Sequence, residues 1–134
     1  MQFPVVTLRN AQVVTGSAMG AGTDANVFCT LFGSDGSSSG EFQLSKSLDH
    51  VDKFERGQVD TFEQAAVQLP GGVCSVGVRF DAQGLGSDWQ LRSVAVSEGG
   101  GAAREFVCGE WLNSEVRSVR LQLASGRAGG VDRI

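Results

Sequence analysis

Short apolar stretches recur along the chain, separated by clusters of Gly, Ser and Asp. Residues 5–14 open the series and stop at Thr15-Gly16. Residues 26–32 are rich in β-branched and aromatic side chains and close on the turn run Gly33-Ser34-Asp35-Gly36. In residues 41–46, Phe42 and Leu44 alternate with polar neighbours, which sends them to one face of a strand. Residues 58–64, 74–80, 90–97, 103–108 and 117–123 continue the pattern, the last through Val119, Leu121 and Leu123. Short strands at this spacing, with no long helical period, predict an all-β antiparallel sandwich or barrel. Residues 113–119 suit a helical turn as well as a strand. Residues 124–134 read as a Gly-rich tail behind a single domain spanning residues 1–123.

Composition narrows this picture. A chain of 134 residues makes one domain, and 19 glycines without a collagen-like period agree with many turns. Eleven Lys and Arg against 15 Asp and Glu leave a net charge of −4, so there is no surplus of cations to neutralise phosphates; nucleic acid is not expected as a partner. The longest uncharged run, residues 64–78, has 15 residues and contains Pro70, Gly71 and Gly72. A helical membrane span needs about 20 mostly apolar residues. The start, Met1-Gln2-Phe3-Pro4, lacks the basic and apolar regions of a signal peptide. Cys29, Cys74 and Cys108 form no even disulfide set and no C-x-x-C pair. They read as small buried apolars in a reducing, intracellular compartment.

Catalysis finds little support. Gly36-Ser37-Ser38-Ser39-Gly40 satisfies G-x-S-x-G, but that motif needs a strand-to-helix elbow, and here it falls in a Ser/Gly hairpin loop. His50 is the one histidine that a Ser–His pair would have to use. No catalytic residue is assigned and the chain is expected not to be an enzyme.

Between residues 15 and 112 the chain resembles the PLAT domain, also called LH2 or lipoxygenase homology domain. This β-sandwich is shared by lipoxygenases, pancreatic-type lipases, polycystins and a clostridial phospholipase toxin. Gly20-Ala21-Gly22-Thr23-Asp24-Ala25-Asn26-Val27-Phe28 is similar to the family's first loop and second strand. Ser47-Leu48, then Lys53-Phe54-Glu55-Arg56-Gly57-Gln58-Val59-Asp60-Thr61-Phe62, resembles its central signature. Gly84-Leu85-Gly86-Ser87-Asp88-Trp89 and Trp111-Leu112 match the later blocks. Stand-alone and tandem-repeat PLAT proteins look most alike. The resemblance implies two four-stranded antiparallel sheets and a non-catalytic module that docks on membrane, lipid or a protein partner, often with calcium. The chain is then a monomer or one domain of a larger protein, peripheral to a membrane.

Calcium takes six to eight oxygens, so it needs several carboxylates on adjacent loops and glycines that let carbonyls turn inward. Asp24, Asp49, Asp52 and Asp88 lie on three such loops. Like charges gathered together raise one another's pKa until a cation compensates. Each Asp also suits a turn capped through its own backbone. With the resemblance, the candidate ligand set is Gly20, Gly22, Thr23, Asp24, Asp49, Val51, Asp52, Asp88 and Trp89. Lys53 stands where some calcium-binding members carry a carboxylate, and Gly20 where some carry Asp, so one ion of micromolar or weaker affinity is expected rather than two. Met19, Val51 and Leu85 are apolar residues in polar loops and form the candidate membrane contact. The alternative is a protein-interaction domain with purely structural calcium. Phe54, Glu55, Arg56 and Asp60 read as a structural corner, and Trp89 and Trp111 as core.

Overall fold

Alternation of inward and outward side chains is carried through into a two-layer sandwich. The computed structural model describes residues 6–67, 69–84, 88–99, 101–124 and 131–133. Its strands are β1 (Val6–Thr15), β2 (Val27–Phe32), β3 (Phe42–Gln43), β4 (Val59–Val67), β5 (Ser75–Phe80), β6 (Trp89–Glu98), β7 (Arg104–Leu112), β8 (Ser118–Gln122) and β9 (Val131–Arg133). One sheet has the order β4-β1-β6-β7, the other β3-β2-β5-β8-β9, and neighbours pair antiparallel. The expected all-β sandwich is therefore present, with β9 added at the edge of the second sheet. This addition comes from the stretch read as a tail. Val131–Arg133 pairs with β8, while residues 125–130 and 134 lie outside the described residues.

The core lies between the sheets. Val13, Leu91, Val94 and Phe106 enter it from the first sheet, and Val27, Leu31, Val76, Val78, Phe80, Val119 and Leu121 from the second. Each such side chain, taken wholly out of water, contributes about 1.5–3 kcal/mol. At the end of β1 remote from Thr15, buried Arg9 pairs with Glu98 at 3.1 Å. Glu98 Oε1 also accepts the Val73 N–H at 3.0 Å, which fastens the chain before β5 to the first sheet.

Several expectations need correction. Trp89 is fully buried, whereas Trp111 is 37% exposed and lies outside the core. Cys29 and Cys108 are buried, and burial pushes the Cys29 thiol up to about 12. Cys74 lies just before β5 and is only half-buried, its thiol resting against the carbonyls of Gly71 and Gly72. Residues 113–117 form a turn rather than a helix, because Asn113 Oδ1 accepts the backbone N–H groups of both Glu115 and Val116 at 2.8 Å.

Candidate metal centre

Topology brings three connections to one end of the sandwich: β1 to β2, β3 to β4, and β5 to β6. Backbone hydrogen bonds stitch them together, Gly57 N–H to the Gly16 carbonyl (2.9 Å), Thr23 N–H to Phe54 (3.0 Å) and Gln90 N–H to Ala21 (3.0 Å). The floor beneath them is aromatic. Phe54 stacks on Phe62 at 5.6 Å and meets Trp89 at 5.3 Å, and Trp89 Nε1 donates to Thr15 Oγ1 at 3.0 Å.

The corner at Phe54 sets the geometry above that floor. Phe54 has a φ of 61°, a left-handed conformation that a bulky residue holds only under constraint. Asp60 supplies much of the constraint. Its buried carboxylate accepts the Phe54 N–H (2.9 Å), the Ser47 hydroxyl (2.7 Å) and the Gln58 side-chain amide (3.1 Å). The Phe54 carbonyl is meanwhile held by Thr23. Phe54 and Asp60 are thus structural. Glu55, the next residue, is turned outward to the loop of Asp24.

Asp24, Asp52 and Glu55 each present a carboxylate oxygen, and the three atoms lie within 4.8 Å of one another. Asp24 and Asp52 are exposed and Glu55 is half-buried. Partial burial, followed by the negative charges of Asp52 and Asp24, raises the Glu55 carboxyl above its ordinary value. The set offers hard oxygens in concentrated negative charge, which fits calcium, with backbone carbonyls and water left to complete six to eight ligands. Zinc sites instead favour nitrogen and sulfur donors. Asp24 stands between two open depressions, one of about 280 Å3 toward Gly20 and Arg56, the other of about 90 Å3 toward Val51 and Lys53.

The remaining candidates are placed as follows. Gly20 is exposed at a φ of 77°. A Cβ on Gly22 would lie 3.0 Å from the Phe54 carbonyl and 3.1 Å from Arg56 N, so this glycine lets the first loop pack on the corner. Thr23 is buried and its hydroxyl accepts the Ala25 N–H at 3.1 Å; it positions Asp24 from below. Asp49 is exposed and outside the three-carboxylate group, its N–H directed to Ser47 Oγ. Asp88 is likewise exposed and outside that group. Trp89 contributes its side chain to the core. Val51 is 102% exposed and Met19 86%, while Leu85 lies outside the described residues. Glu55, which the sequence places in the structural corner, comes to lie beside Asp24 and Asp52. Its spacing from Asp52, three residues across a turn, was the available signal.

The family model for the PLAT/LH2 domain matches residues 10–122. The chain belongs to the PLAT/LH2 family. This PLAT/LH2 domain is 36% identical over 118 residues to lipoxygenase homology domain-containing protein 1 of Homo sapiens, which covers 87% of the chain and 6% of that relative. It thus spans a small part of the length of that relative. Among solved structures, a calcium-dependent 11R-lipoxygenase superposes with a TM-score of 0.68 at 30% identity, covering 87% of this chain and 17% of that one. A coral 8R-lipoxygenase, whose calcium activation is ascribed to a C2-like domain, superposes at 0.73. At 23% identity, with 87% of this chain and 17% of that one covered, it shows the fold alone. A PLAT/LH2 domain is an accessory, non-catalytic module. The G-x-S-x-G run lies in the connection between β2 and β3. There Ser38 Oγ accepts the Gly40 N–H at 3.1 Å, and Ser39 Oγ accepts the Leu31 N–H at 3.0 Å.

Proposed function

We propose that this domain docks reversibly on a membrane surface with the help of one calcium ion held by Asp24, Asp52 and Glu55. The observation that carries the reading is the convergence of these carboxylates within 4.8 Å beside the wholly exposed Val51. Three negative charges repel an anionic bilayer, and a divalent ion reverses that sign locally. Lipid phosphate or carboxylate oxygens then complete the coordination shell left open by the protein. Val51 and Met19 enter the interface, each worth up to about 1.5–3 kcal/mol when fully buried. Two such side chains give attachment that is readily released, as befits a peripheral module. The 11R-lipoxygenase similarity supports the calcium dependence, since that protein is described as calcium-dependent.

Sedimentation with mixed phosphatidylcholine and phosphatidylserine vesicles tests this directly. The domain is expected to pellet in calcium and to stay in solution with chelator. Val51→Ser should weaken binding by about tenfold, the equivalent of 1.4 kcal/mol. Equal pelleting with and without calcium, or none in either case, overturns the reading.

A further inference from the structure

The outer face of the second sheet carries a second, unrelated arrangement. Half-buried Phe28, Thr30 and Phe32 point outward from β2, while Val27, Cys29 and Leu31 point into the core. Cross-strand register sets Arg79 opposite Phe28, Gly77 opposite Thr30 and Ser75 opposite Phe32. On the other side of β5, Ser118 is opposite Arg79 and Arg120 opposite Gly77. Gly77 has no side chain to block the centre of this grid. Its position lies so near the Phe32 ring that an added Cβ would sit 3.3 Å from Cε2. Arg120 therefore reaches across β5 and lays its guanidinium over Phe32, 3.8 Å from the ring centroid. Arg79 lies over Phe28 in the same manner, at 4.2 Å.

The two Arg-on-Phe pairs differ in one respect. Arg79 holds the Glu41 carboxylate through both Nε (3.0 Å) and a terminal nitrogen (2.7 Å), the two-pronged fork that guanidinium groups favour. Arg120 has, among the described residues, one hydrogen bond, from Nε to Ser75 Oγ at 3.2 Å. The guanidinium extends across β5 and over β2. A shallow recess of about 150 Å3, lined by Thr30, Phe32, Gly77, Val78 and Ser118 with Arg79 and Glu41, opens beside it.

We infer that this face is a docking site for an acidic polypeptide segment, whose carboxylate takes at Arg120 the place that Glu41 takes at Arg79. Local charge favours that occupant against the chain's net −4: among the described side chains, this face presents a cation stacked on an aromatic ring without a carboxylate on its fork. Stacking on Phe32 holds the guanidinium flat and desolvates one side of it, which strengthens a hydrogen-bonded carboxylate at its edge. The recess is about the size of one side chain and receives the residue next to the acidic one. This surface is separate from the loops around Asp24 and does not depend on calcium.

The test is a titration of the 15N-labelled chain with hexaglutamate in chelator, followed through backbone amides and arginine Nε–H signals, with hexaglutamine as control. Saturable shifts are expected at Arg120 Nε–H, Gly77 and Ser118, with smaller ones at Arg79. Arg120→Gln should weaken binding about tenfold and Arg120→Lys should recover only part of it, because an ammonium lacks the planar fork. Phe32→Leu keeps Arg120 and should also weaken binding, so the inference remains testable if one variant is poorly folded. Three results overturn it: equal response to hexaglutamine, shifts spread equally over Arg92 and Arg104, or unchanged affinity in Arg120→Gln. Binding of phosphatidylserine vesicles at these residues in chelator, without any response to hexaglutamate, overturns it as well. Because calcium is absent throughout, failure here leaves the membrane reading standing, and the vesicle assay in calcium decides that one separately.

Discussion

Neutralising Glu55 should make the domain more stable without calcium and less stable with it. Glu55→Gln preserves shape and removes one of three charges whose oxygens lie within 4.8 Å of each other. At 4.8 Å in water each pair repels by about 0.9 kcal/mol, so Asp24 and Asp52 together act on Glu55 with about 1.7 kcal/mol. A screening length of about 8 Å at physiological salt reduces this to about 1 kcal/mol. For a domain of this size that is about 3–5 °C in melting temperature, upward, in chelator. Calcium at 100 times its Kd stabilises the wild type by about 2.7 kcal/mol, and the variant, short of one ligand, gains much less. The order of melting temperatures therefore inverts on adding calcium.

A pH series supplies an independent check. The folded-state carboxyl of Glu55 is raised above the ordinary 4.5, so the native domain holds that proton more tightly than the unfolded chain. The resulting stabilisation is fully present below the unfolded value and is lost as pH rises through the folded one. The advantage of Glu55→Gln in chelator should thus vanish near about pH 4 and grow toward neutrality. Differential scanning calorimetry reads all of this. A lower melting temperature for Glu55→Gln in chelator, or equal gains from calcium in both proteins, refutes the reasoning.

Two further outcomes follow from the corner beneath the site. Asp60→Ala strips the acceptor from the buried Phe54 N–H, the Ser47 hydroxyl and the Gln58 amide. The Gln58 amide keeps the Asp52 carbonyl at 2.8 Å, so at about 1–3 kcal/mol for each group left unsatisfied urea unfolding should show a loss of about 2 kcal/mol or more, and a loss below about 1 would remove Asp60 from its role. Gly22→Ala forces a Cβ within 3.0–3.2 Å of the backbone of residues 54–56. It should cost about 1–3 kcal/mol and weaken calcium binding measured by calorimetry, whereas unchanged affinity would show that the loop seats on the corner without this close approach.

Much of the sandwich was legible because a strand announces itself by local means. Val27, Cys29 and Leu31 point inward and Phe28, Thr30 and Phe32 outward through a period that needs no knowledge of the partner strand. The same holds for β5 and β8, whose bounds differ from the sequence reading by a residue or so. Pairing is different. Val131–Arg133 is short, follows a Gly-rich stretch and carries no alternation long enough to read, yet β8 offers it an edge. Residue type alone places Trp111 in the core, but the pleat of β7 leaves it 37% exposed.

The sequence by itself determined that this chain folds as a PLAT/LH2 β-sandwich and that Asp24 and Asp52 are candidates for a metal, because periodicity, turn chemistry and ordered motifs are properties of neighbours along the chain. Only the tertiary structure decided that Glu55 joins them while Asp49 and Asp88 remain outside the group. It also decided that Arg120 reaches Phe32 across a glycine on the strand between them. Both depend on contacts between residues remote in sequence: Asp60 and Thr23 holding Phe54 in a left-handed conformation that no local preference favours, and cross-strand register placing Gly77 between β2 and β8. Such contacts are set by where packed elements come to rest, and a linear pattern carries no distance between them.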